Sequence, residues 1–247
     1  MSMLSLTLLL AILAVVLADE FTYKPAIDNE EFPWFCTVYD NTNFKPVCYC
    51  TILGKNAILS AAKCFKDEDI KVDKESKFHI RFGSIAANGM RKFVQVKTIS
   101  NSGNQHLVML RPKNPILGFD EIELAESVYK NLQVDNITIA TFHSYGTSEP
   151  MKTHVHMVTT KVSENVKNCE FAFEQHHFCA VESTTRCNVG LGAGVVSVSP
   201  KNSSRWVLHG VAVQSPKCHQ LGENSKLADV YVKIQDDKWK WIRENMN

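Results

Sequence analysis

The sequence has no surplus of charge of either sign: 27 lysines and arginines face 26 aspartates and glutamates in 247 residues, a formal net charge of +1. It shows no dense basic stripe, the electrostatic footprint that a phosphate backbone requires, so no nucleic acid partner is expected. It has no repeat of fixed period, no low-complexity tract and no Pro/Gly linker, which argues against solenoids, disordered arrays and tethered modules. One continuous folded unit is expected, and 45% hydrophobic residues suffice to fill its core. Past the amino terminus there is no apolar run approaching the roughly 18 residues that a membrane span needs, so no membrane association is expected.

What is there begins with an apolar stretch from Leu4 to Leu17, followed by the small-residue site Val16-Leu17-Ala18 and the acidic pair Asp19-Glu20. This is the pattern of a cleaved signal peptide over residues 1–18, and the run is too short for a comfortable membrane anchor. The mature chain, residues 19–247, is then secreted and extracellular. Its eight cysteines form an even set, at 36, 48, 50, 64, 169, 179, 187 and 218. In an exported chain that count favours disulfides over metal thiolates. Two sequons, at Asn136 and Asn202, fit the same route and predict glycosylation on surface turns.

Most local patterns are those of strands. Phe35–Tyr39, Phe78–Phe82, His154–Val158 and Trp206–Leu208 carry β-branched and aromatic residues in rough alternation, bounded by turn residues, which indicates an all-β sandwich or barrel. Gln235–Asn247 differs: Trp239, Ile242 and Met246 recur with helical spacing, and Asp236 is placed to cap a docked C-terminal helix. Lys66–Lys77 mixes both signs of charge and is expected to be a solvated loop.

Three ordered stretches resemble the signature blocks of the chymotrypsin-like serine proteases. Ile58-Leu59-Ser60-Ala61-Ala62-Lys63-Cys64 is similar to the block ending T-A-A-H-C, and Asn104-Gln105-His106-Leu107-Val108-Met109-Leu110 to N-N-D-I-A-L-L. Cys187-Asn188-Val189-Gly190-Leu191-Gly192-Ala193-Gly194 is similar to C-x-G-D-S-G-G-P. Phe32-Pro33-Trp34, Ser144-Tyr145-Gly146, Val230-Tyr231 and Trp241-Ile242 match further family motifs, extending the likeness over nearly everything from Phe32 onward. The resemblance implies a trypsin-like fold of two six-stranded antiparallel β-barrels with a C-terminal α-helix, the halves meeting near residues 120–135.

The same resemblance places Lys63 at the general-base position, His106 at the orienting carboxylate and Leu191 at the nucleophile. None supplies the chemistry needed. A triad requires an imidazole that titrates near neutrality, a carboxylate that holds its tautomer, and a hydroxyl. An unperturbed lysine, with a pKa of about 10.4, offers no lone pair at neutral pH. A leucine offers only saturated carbon. The supporting positions are altered too. Val189 stands where a glycine lends its amide to the oxyanion hole, and Gly190 where an aspartate receives the newly cleaved amino terminus, while Phe21–Ile27 contains no I-V-G-G. In the specificity pocket Thr185 takes the base, Asp229 replaces a wall glycine, and Val213-Gln214-Ser215 replaces S-W-G. A partly plugged cleft is expected.

By the family pattern Cys48 bridges Cys64, Cys169 bridges Cys179 and Cys187 bridges Cys218. Cys36 and Cys50 remain: a cross-strand bridge is the leading reading and two free thiols the alternative. His154 and His156 share a face of a strand but lack a visible third ligand, and His176-His177, in the loop before Cys179, take the same bland reading, so no metal is expected. Calcium is not expected either, because the loop Ser84–Val94 has no Asp or Glu. With no cofactor implied, the resemblance points to a non-catalytic protease homologue of the arthropod-type secreted form that binds extracellular proteins, such as active proteases or zymogens. Its setting would be a protease cascade, an immune response or a reproductive fluid. The alternative is an enzyme with relocated hydrolytic chemistry, with Lys63 and His106 as acid and base.

Overall fold

Antiparallel strand pairing organises the first half of the chain. The computed structural model describes residues 23–25, 32–43, 45–70, 76–83, 91–102, 106–117, 122–124, 137–143, 154–160, 162–163, 177–180, 190–199, 205–214, 229–234 and 236–246. Within this frame β2 (Phe35–Asp40), β3 (Lys45–Gly54), β4 (Ala57–Ala61), β5 (Phe78–Gly83), β6 (Arg91–Asn101) and β7 (Leu107–Pro112) pair antiparallel. They close into a barrel in the order β2-β3-β4-β7-β6-β5. β4 is buried along its whole length, as are the first four residues of β7, because both their faces are covered. β6 starts at Arg91, so the loop expected over Ser84–Val94 ends earlier; its remainder lies outside the described residues.

The second half is a nine-stranded sheet. Its strands are β1 (Tyr23–Pro25), β8 (Glu123–Leu124), β9 (Ile137–His143), β10 (His154–Thr160), β11 (Val162–Ser163), β12 (His177–Ala180), β13 (Gly194–Val198), β14 (Trp206–Gln214) and β15 (Asp229–Lys233). The order is β1-β10-β9-β13-β14-β15-β12-β11, with β8 parallel to β14. The all-β class holds, with one closed six-stranded barrel. Where the resemblance implies a second ring of six, the described strands form this larger sheet, which takes in β1 along β10 and β8 along β14.

The chain ends in α1 (Asp236–Glu244). Asp236 is its first residue rather than the one before it. Ile242 is buried and Trp239 and Met246 are half-buried, so the helical spacing marks the docked face. Lys66, Asp67 and Glu68 are exposed, in keeping with a solvated loop. Among the described residues no helix is long and apolar enough to cross a membrane.

An aromatic seam joins the halves. Phe32 and Trp34, just before β2, pack on Trp206 of β14 with ring centroids 5.5 and 6.3 Å away. Trp34 is fixed from the barrel side because its carbonyl accepts the Ile52 N–H at 2.7 Å. At Gly194 an added Cβ would meet Thr51 Oγ1 of β3 at 2.6 Å and Leu208 Cδ1 of β14 at 2.7 Å. Only a glycine lets β13 approach the barrel this closely.

Candidate functional site

The site is built where β4, β3 and the turn before β13 converge. β4 runs into a 3-10 helical turn, Ala62–Cys64, closed by the Phe65 N–H donating to the Ala62 carbonyl at 3.0 Å. The β4–β7 register sets Ala61 opposite Leu107, so the residues beyond the two strand ends meet. The Ala62 N–H accordingly donates to the His106 carbonyl at 2.9 Å. Lys63 follows and is exposed, while His106 is half-buried.

Leu191 approaches from the other half. Gly190-Leu191-Gly192-Ala193 is a tight turn closed by the Ala193 N–H on the Gly190 carbonyl at 3.0 Å. Its third residue, Gly192, has φ +87°, which a side chain would strain. The turn is held on both sides: Tyr49 N–H donates to the Leu191 carbonyl at 2.8 Å, and Gly192 N–H to the Ala212 carbonyl at 2.8 Å. The Cys48 sulfur lies 2.9 Å from that same Leu191 carbonyl. Because Cys48 is bridged to Cys64, the residue after Lys63, one disulfide ties Lys63, His106 and Leu191 into a single neighbourhood.

Of two further residues at this site, one escapes the sequence reading and the other is weighed there only as a metal candidate. Tyr49 is the first: a Cβ at Gly190 would fall on its ring, so the two residues compete for one volume. The ring packs against Phe35 at 5.8 Å, and the Tyr49 carbonyl accepts the Ser60 hydroxyl at 2.7 Å. Burial, with Tyr39 adding, holds its phenol well above the ordinary tyrosine range. The available signal was Gly190 itself, since a glycine in place of an acidic residue leaves room for a ring from elsewhere. The second is His177, which opens β12 rather than lying in a loop, and whose ring meets the His106 ring edge-on at 4.9 Å. Only the fold brings these two together across the halves.

Other candidate residues are dispersed. Val213 is buried in β14, and Asp229 opens β15 opposite Ala180, its side chain outside the description. Val189, Thr185, Ser215, Asn136 and Asn202 lie outside the described residues, and with them the expected plug of the cleft. So do Cys169, Cys187 and Cys218 and the side chain of Cys179. Cys36 is bridged to Cys50, its direct partner across the β2–β3 pair, at a Cα separation of 4.9 Å. On β10 the register sets His154 opposite His143. Among the described residues no group of three or more His, Cys, Asp or Glu could hold a metal.

A serine and a histidine do meet, though in a different place. Ser197 of β13 and His209 of β14 lie 2.7 Å apart, Oγ to Nε2. His209 is buried, and burial pulls its pKa down to about 4. The pair sits further along the sheet from the Leu191 turn, on strands of the second half alone.

No curated protein matches the chain. The family model for trypsin matches residues 24–242, most of the length, and takes in both the closed barrel and the sheet that carries the Leu191 turn. On that match the chain belongs to the trypsin family.

Proposed function

We propose that the protein is a secreted, non-catalytic serine protease homologue, a pseudoenzyme that works by binding an extracellular protein. The partner would be an active protease or a zymogen in a protease cascade, an immune response or a reproductive fluid. One observation carries this reading: the neighbourhood tied together by the Cys48–Cys64 bridge holds Leu191, Lys63 and His106. A hydrocarbon, an ammonium and an imidazole provide no attacking oxygen and no anion to orient a base. Tyr49 supports it further, since its ring fills the space into which a residue-190 side chain would project. The test is a broad screen with fluorogenic peptides and esters, paired with fluorophosphonate labelling. Silence in both is expected; turnover that disappears in Lys63→Ala would sink the reading.

The contact between Ser197 and His209 favours a second reading, hydrolysis from a relocated dyad. Against it, a buried imidazole with its pKa near 4 is a weak proton acceptor at neutral pH. Fluorophosphonate labelling abolished by Ser197→Ala would establish the dyad in place of the binding role.

A further inference from the structure

From Ser76 to Phe119 the chain holds no aspartate or glutamate but seven lysines and arginines, in a protein whose formal charge is only +1. This stretch contains β5, β6 and β7, consecutive neighbours in the closed barrel. Spread along the sequence, these cations form no stripe; strand pairing brings Arg81 and Arg111 to one wall of the barrel, where Lys97 is exposed beside them. Arg81 pairs with Phe93, His79 with Gln95 and Thr98 with Arg111, and the Lys113 N–H donates to the Gln95 carbonyl at 2.7 Å. Opposed residues share a face. Arg81, Phe93 and Lys97 therefore belong to the outer wall, while Ile80, Phe82 and Val96 are buried on the inner side.

Lys77 is engaged, with Asp69 at 3.0 Å and Asp40 at 4.0 Å, but Arg81, Lys92 and Lys97 have no ion-pair partner among the described residues. Arg81 is nevertheless held in place. Its guanidinium lies over the rings of Tyr39 and Phe93, 5.6 Å from each centroid, and donates to the Tyr39 hydroxyl at 3.3 Å. Beside these charges stand two of the three large apolar side chains exposed among the described residues: Phe93 at 57% and Leu117 at 62%. Lys92, exposed near the start of β6 but opposite the inward Phe82, stands at the rim of this wall, where its ammonium donates to the Leu117 carbonyl at 3.4 Å. A single exposed apolar residue is ordinary; two set among these cations mark a contact surface.

We propose that this wall docks an acidic segment of a partner protein, with apolar side chains placed between its carboxylates. Charge complementarity selects the carboxylates, and Phe93 and Leu117 select the apolar side chains. A sulfated glycan would answer the charge and leave both apolar groups in water. Because the barrel is closed it has no free edge to extend, so the segment lies across the strands and is held by side chains. The proposal rests on the binding role stated above and gives that role a location and a partner chemistry.

The probe is a short fluorescein-labelled peptide in which glutamates alternate with phenylalanines, titrated by fluorescence anisotropy against the full mature chain. Saturable binding that weakens with added salt is expected. Lys92→Glu and Lys97→Glu should each weaken it by about tenfold, as should Phe93→Ser, at unchanged thermal midpoint. A matching peptide with alanine for phenylalanine should bind less tightly. Should Phe93→Ser disturb folding, Leu117→Ser serves as the apolar variant. No binding, binding that ignores these substitutions, or a heparin oligosaccharide that binds more tightly than the peptide would each overturn the proposal. Any of these leaves the non-catalytic reading standing, because that reading fails only on turnover or active-site labelling.

Discussion

At Gly190 and Tyr49 two residues 141 positions apart in number share one volume, and their energetics should be coupled. Gly190→Ala is expected to cost about 1–3 kcal/mol by overpacking. In a Tyr49→Gly background the same change should cost much less, with a coupling of about 1 kcal/mol or more in a double-mutant cycle read by urea unfolding. His209 sets a pH dependence. Its folded pKa, about 4, lies below the ordinary histidine value of 6.5, so the unfolded chain takes up the proton first. Stability is therefore complete above about pH 6.5 and falls as the pH drops toward 4, by about 3 kcal/mol in all. Denaturant titrations at pH 7 and pH 4.5 should show this fall, and His209→Gln should flatten it. A flat profile in the unsubstituted protein would remove the buried imidazole as its cause. Neither residue was legible in advance. Tyr49 and His209 look like ordinary strand residues in the sequence, and what makes them matter is a neighbour supplied by strand pairing or by the turn before β13.

Among the elements, the β2–β3 hairpin is the most heavily fastened. β3 carries Cys48 and Cys50, two residues apart, and each is bridged to a different segment: Cys64 in the turn after β4, and Cys36 on β2. The second bridge joins directly opposed residues and encloses a short loop, so the paired replacement Cys36→Ser with Cys50→Ser should cost about 3 kcal/mol. Urea unfolding of the non-reduced protein measures it. Alkylation of either thiol in the untreated protein would count against the bridge in solution. The elements themselves were largely readable. Phe35–Tyr39 and Phe78–Phe82 fall within strands as expected, although Phe35 to Val38 and Phe78 to Ile80 are buried without a break rather than in alternation, and Trp239, Ile242 and Met246 follow the docked face of α1. The strand ends were not readable, since β6 begins where pairing with β5 begins, at Arg91 opposite Gly83, and composition does not register that.

On the scale of the molecule, stability depends on how the barrel and the nine-stranded sheet hold each other. Trp34 is 1% exposed and sits against both Phe32 and Trp206. Trp34→Ala should cost about 3–5 kcal/mol. It should also uncouple the halves, so that calorimetry shows a broadened or split transition in place of a single one. Retention of one sharp transition would mean that the seam is not what makes the two halves cooperate. Ordered motifs spread along the sequence were enough to suggest the family and to pick out Lys63, His106 and Leu191 before any fold was in view. They could not foretell that the cations of β5, β6 and β7 share a wall, because that depends on which strands are neighbours.

The mutual exclusion at Gly190 also bears on any attempt to engineer protease chemistry into the chain. A carboxylate side chain at 190 and the ring of Tyr49 compete for one volume, so placing an acid there calls for a smaller residue at 49 as well, whatever nucleophile replaces Leu191.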